Sequence, residues 1–214
     1  MAPAVAFLEP PGARVGEVVG TTSTAFIAQT PRLHQTPPLG ALVNVCDEGD
    51  LTIYGIVASA STEGVSAAAR PVPRGRDGTE NAAIYRANPD LEHVLRTSFE
   101  CVVVGHARGG LVHYFLPPTP APIHYSVTMC NESEVQSFTA DVSYLWMVLM
   151  AEGFPVEEVI ASHIRYVAEA CHRTGRETPY SFTVRAGREM AALLRDDHQR
   201  LAAILQRIRR APGS

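Results

Sequence analysis

The feature that most restricts the fold is a change of hydrophobic period near Cys130. Between residues 14 and 60, "GEVVG", "AFIAQ", "GALVNVC" and "LTIYGIVAS" are short apolar or alternating runs separated by turn residues. That pattern predicts β-strands. "CDEGDLTIYGIV" reads as a hairpin turning on Glu48-Gly49-Asp50, and "PPLG" at 37–40 predicts a tight turn before the third strand. "FECVVVGHA" and "GLVHYFLP" read as another hairpin, around Arg108-Gly109-Gly110. "PPTPAPIHYSVTMC" is a proline-stiffened crossing that ends in a last extended piece. Five to seven short strands at this spacing predict a small barrel rather than a sandwich. Residues 61–82 have the composition of a mobile surface loop, and "ANPDLEHVLRTSF" predicts a short helix with Asn88 as N-cap and Pro89 following it.

After Cys130 the period becomes helical. "NESEVQSFTADVSYLWMVLMAEG" places Val135, Phe138, Val142, Leu145 and Leu149 on one stripe. Pro155 opens a second helix, with Val159, Ile160, Ile164 and Val167 as its stripe and Gly175 near its end. A third stretch, "GREMAALLRDDHQRLAAILQRIRR", carries Met190, Leu193, Leu194, Leu201, Ile204, Leu205 and Ile208 at helical spacing. The expected class is therefore α+β: a small N-terminal β-barrel over 14–130, with its long loop at 61–82, then a helical domain over 131–210.

Hydrophobic residues at 46% against 19% charged allow a real core in 214 residues. A net charge of −4 gives no general attraction to a phosphate backbone. All eighteen basic residues are arginines, so no lysine can form a Schiff base or grip a β/γ-phosphate. The N-terminus lacks the basic and long apolar regions of a signal peptide, and the apolar run around "VSYLWMVLMA" is about half a membrane span. A soluble cytoplasmic protein is the expectation.

Four consecutive hydroxyl residues, Thr21 to Thr24, follow Gly20 and invite a phosphate-cradle reading. A P-loop needs GxxxxGK[ST], and neither that lysine nor a GxGxxG is present, so strand-turn-strand is the expectation. His106, His113, His124 and Cys130 share the β-region, but their spacing matches no zinc pattern. Cys101 with His106 would be a nucleophile pair, except that Cys101 reads as a buried strand residue where the thiolate is disfavoured. Cys171 and His172 are adjacent on a helix and do not face one another. In "RDDHQR", Asp196 and Arg200 predict an i,i+4 ion pair, and Asp197 falls toward the apolar stripe as a partly buried anchor. "RPVPRGR" at 70–76 and "QRIRR" at 206–210 are small basic clusters that read as solvated surface. No residue is assigned a catalytic, cofactor-binding or metal-binding role.

Gly16 to Thr24, Gly40 to Val45 and Tyr54 to Val57 follow a "GxVvgttst", "GdxVxV", "vyGxV" pattern. The chain thereby resembles the HAS barrel, the small β-barrel shared by HerA-type DNA-translocating ATPases and ATP synthase subunits. Ala41 stands where an acidic residue is frequent in that family. "NPDLEHVLRTSFECVVVG", "YFLPPTPAPIH" and "AGREMAALLRDDHQRLAAILQRI" resemble stand-alone HAS-barrel proteins of cyanobacteria and related bacteria, which carry helices in place of the ATPase domain. The resemblance implies a ring-capping or docking barrel with no catalytic residue to carry over.

Three functions follow as expectations. The first is a non-enzymatic adaptor, serving a HerA/NurA-like DNA-processing assembly through a HerA-type ATPase or a NurA-type nuclease, or forming a homo-oligomer. The second is a metal-dependent hydrolase or nuclease using His106, His124, Asp197 and His198. The third is a barrel for single-stranded nucleic acid, although residues 15–60 hold few of the aromatics and bases that such platforms use.

Overall fold

Seven strands form one antiparallel sheet, and six of them close on themselves. In the computed structural model, which describes residues 12–66, 71–75, 81–175 and 177–209, they are β1 (Arg14–Thr21), β2 (Ala25–Gln29), β3 (Leu42–Cys46), β4 (Leu51–Gly64), β5 (Leu95–Arg108), β6 (Leu111–His113) and β7 (Ser126–Met129). The sheet order is β2-β1-β7-β3-β4-β5-β6, and β2 also pairs with β5, which completes the barrel. β6 hangs outside the closed ring on β5, with His106 opposite His113. The chain's last strand, β7, is inserted between β1 and β3.

The hydroxyl run from Thr21 to Thr24 turns a corner between β1 and β2. The Thr22 hydroxyl accepts from the amides of Thr24 and Ala25 at 3.3 and 3.0 Å and closes the turn from β1 to β2. The Glu48–Asp50 hairpin is held the same way, with Asp47 accepting from Gly49 and Leu51. Val18, Phe26, Val43, Ile53, Phe99, Val103 and Val127 fill the barrel interior. A side chain at Gly55 would meet the Phe26 ring at 2.7 Å, so this position must stay bare for the ring to sit inside.

The outer face of β3, β4 and β5 is also buried, under helices. Leu42, Tyr54, Ile56, Val102 and Val104 share a second core with α3 (Glu132–Phe138), α4 (Leu145–Leu149), α5 (Val156–Thr174), α6 (Pro179–Leu193) and α7 (His198–Arg209). α5 lies at the centre and packs against α3, α4, α6, α7 and β4. α3 begins with a reciprocal cap, in which Asn131 accepts from the Glu134 amide and Glu134 accepts from the Asn131 amide. Gly175 ends α5 in the left-handed conformation, at φ 67°. Among the described residues, no helix is long and apolar enough to cross a membrane.

Several local expectations are corrected. β4 continues through Gly64, so the first residues of the expected 61–82 loop are strand; residues 67–70 and 76–80 lie outside the described residues. Helix α1 (Asn81–Ala87) then follows, and Asn88 closes it by donating to the Ile84 carbonyl rather than opening a new helix. Only one turn, α2 (Leu91–Val94), remains of the helix expected at 87–99, because Leu95 onward pairs with β4. Of the three expected helical stripes, the second is the continuous α5, while the first and third are broken. Asp141 accepts from the Ser143 amide at 2.7 Å and separates α3 from α4. Asp197 accepts from the Arg200 amide at 3.0 Å, which caps α7 and separates it from α6.

Candidate functional site: an arginine-rimmed groove on the helices

One buried hydrogen-bond relay keys the helical layer to the barrel. His163 of α5 is fully buried; its Nδ1 donates to the Gly40 carbonyl at 2.7 Å. With that nitrogen protonated, Nε2 accepts from the Tyr144 hydroxyl at 2.8 Å. Burial lowers the His163 pKa from 6.5 to about 4, opposed by the bond to Gly40, so the ring is neutral near pH 7. Gly40 holds φ 81°, and a Cβ there would lie 2.3 Å from the His163 amide nitrogen. The "PPLG" turn thus presses bare backbone onto α5.

On its other side α5 forms an open groove of about 1020 Å³ with α6 and α7. Ala168, Val184, Gly187, Leu205 and Ile208 make its floor. Arg165, Arg173, Arg188 and Arg209 surround it, against one carboxylate, Glu169. Arg173 is engaged by Glu132 at 2.7 Å, and Arg165 donates to the Arg207 carbonyl and to Ser162. Arg188 and Arg209 are exposed and have no ion-pair partner among the described residues. α6 is held in place by Arg185, which bonds the Thr139 and Ala140 carbonyls and pairs with Glu177. α7 is tied to α5 by the Arg200–Glu157 and Arg207–Glu158 pairs. The Arg200 hydrogen bond holds the Glu157 carboxyl below its usual range.

The residues singled out in the sequence do not converge on one centre. His106 and His113 stack with ring centroids 4.9 Å apart, beside Phe115, and His106 Nδ1 lies 3.2 Å from the Phe115 carbonyl. His124 is exposed and pairs with Glu17 at 2.9 Å. Cys130 packs instead against Asn44. Among the described residues, no three His, Cys, Asp or Glu side chains are grouped to hold a metal ion. Burial pushes the Cys101 and Cys130 thiols well above their ordinary value. Cys171 is buried while the adjacent His172 is exposed.

Two expectations about "RDDHQR" are overturned. Asp197 is exposed at the head of α7 rather than sunk in an apolar stripe, because the helix starts there. Arg200 pairs with Glu157 of α5, and Asp196 lies by Arg195 at 3.5 Å. Arg210 of "QRIRR" and residues 70 and 76 of "RPVPRGR" fall outside the described residues.

Sequence reasoning placed Leu205 and Ile208 on an apolar stripe but missed that they remain half-buried as a groove floor. The available signal was Gly187 within the third stretch, a position where no side chain fills the space between α6 and α7. His163 was missed too, although it interrupts an otherwise apolar stripe between Ile160 and Ile164. Compared with known proteins, the chain matches no family model and no protein of curated function.

Proposed function

We propose that this chain is a non-enzymatic docking protein of the cytoplasm, in which a closed barrel carries a helical surface for a protein partner. The observation that supports this reading is the open, apolar-floored groove between α5, α6 and α7. A concave surface with a mostly apolar lining and a few polar groups at its rim is the kind of place where a binding partner can bury surface. The HAS-barrel resemblance names a HerA-type ATPase or a NurA-type nuclease as the first partners to try.

Light scattering coupled to size exclusion tests the reading. The protein is run alone, then mixed with the HerA-type and NurA-type proteins of its own organism. A stoichiometric co-eluting complex, or a discrete ring of the chain itself, is the expected result. A monomer that joins neither protein and retains nothing specific from its own lysate overturns it.

A further inference from the structure

We infer that the α5–α6–α7 groove takes an acidic amphipathic helix of a partner protein. The apolar face of that helix would rest on Val184, Gly187, Leu205 and Ile208, and its carboxylates would meet Arg188 and Arg209. This rests on the docking reading and adds the chemistry of the occupant.

Charge complementarity carries the argument. The chain as a whole is acidic, at −4, yet four arginines and one glutamate line this groove. An acidic partner is repelled by the molecule at large and attracted here, which steers it to one place. Arg188 and Arg209 are exposed and have no ion-pair partner among the described residues. Both are available to an incoming carboxylate.

Shape selects a helix over other acidic segments. The groove runs between helices, whose backbones offer no free edge for an added strand, whereas a further amphipathic helix extends the same ridge-and-groove packing. A helix ~10 Å across rising ~1.5 Å per residue fills about this volume in two to three turns. Gly187 leaves the floor open where such a helix would approach: a Cβ there would meet only Leu205, at 3.8 Å. A nucleic-acid strand is the weaker fit, because stacking platforms need several exposed aromatics and the lining contains one, Tyr180.

The test is a selection from a displayed library of random peptides of roughly fifteen residues, about four helical turns. The intact protein is the bait, and the Arg188→Glu/Arg209→Glu variant removes peptides that bind elsewhere. The enriched peptide is then labelled and titrated by fluorescence anisotropy. Enriched sequences are expected to place apolar residues at i, i+3, i+4 and i+7 with Asp or Glu between them. The double variant should weaken the winner at least tenfold. Gly187→Leu should abolish binding while the thermal melt holds or rises, since leucine favours the helix and occupies the floor.

Enrichment of peptides without acidic residues, or no enrichment over the variant, overturns the inference. So does binding that survives Gly187→Leu, or displacement by a single-stranded oligonucleotide. The two readings fail separately. A partner complex that persists in Gly187→Leu leaves docking intact and removes the groove from it. Peptide binding without any partner complex does the reverse.

Discussion

Acid should loosen the joint between the barrel and the helices, and His163 sets the size of the effect. The ring is fully buried, donates to the Gly40 carbonyl and accepts from the Tyr144 hydroxyl, so its place suits the neutral form. Its pKa falls from 6.5 to about 4 in the fold. In the unfolded chain the imidazole takes up a proton at its ordinary value, so between those pH values the unfolded state binds more protons. Stability is therefore full above pH ~6.5 and falls as the pH drops toward ~4. At ~1.36 kcal/mol per pH unit the whole drop is worth ~3 kcal/mol, a large share of a domain's usual 5–15 kcal/mol. Urea unfolding of the wild type and of His163→Gln, from pH 7.5 to 4, isolates this contribution, because other titrating groups act in both proteins. Near pH 7.5 the variant should be less stable by ~1–3 kcal/mol, for its imperfectly replaced buried hydrogen bonds. The gap should close, and can invert, toward pH 4. A difference that stays constant across the range refutes the neutral, buried histidine.

Gly40→Ala should cost ~3 kcal/mol or more, read as a lower urea midpoint, since alanine at φ 81° is strained and its Cβ meets the α5 backbone. Asp197→Ala should cost ~1 kcal/mol through the lost cap, with amide exchange quickening in the first turn of α7 before the barrel. Of the four cysteines, Cys46 alone is exposed, so a thiol reagent should label one site in the native protein and all four in denaturant.

Local chemistry was legible in the sequence at several turns, though not at Asn88, which closes a helix rather than opening one, nor in the expected Asp196–Arg200 pair. Glu48–Asp50, the hydroxyl run at 21–24 and Gly175 all turn or stop the chain where their residue types imply. What was hidden depends on distant partners. β7 is only "SVTM", and nothing in those four residues says that they slide between β1 and β3. The unbroken apolar character of "LTIYGIVA" and "CVVVG" did carry information about layering. Cys101 and Val103 point into the barrel while Val102 and Val104 point at the helices, so both faces are covered and the alternation disappears. Helix breaks at Asp141 and Asp197 were legible in principle, because an Asp within a helical run competes for the backbone amide two or three residues on. The groove was illegible: a half-buried Leu205 and a core leucine give the same periodic signal.

The placement of that groove bears on what the barrel is for. Phe26 and Phe99 are each 1% exposed inside it, so the barrel interior is a packed core of side chains. The family resemblance would put the docking surface on such a barrel, whereas the open apolar surface lies on the helices. α5 reconciles the two. Ile160, Ile164 and Val167 join its buried core, while Arg165, Ala168, Glu169 and His172 face the groove. The Gly40–His163–Tyr144 relay fixes this helix against the barrel by directional bonds, where apolar packing alone would tolerate sliding. On the docking reading proposed above, a partner seated against Ala168 would be held by an element whose position the barrel sets. On that reading the barrel would contribute rigidity and orientation, and the helices recognition.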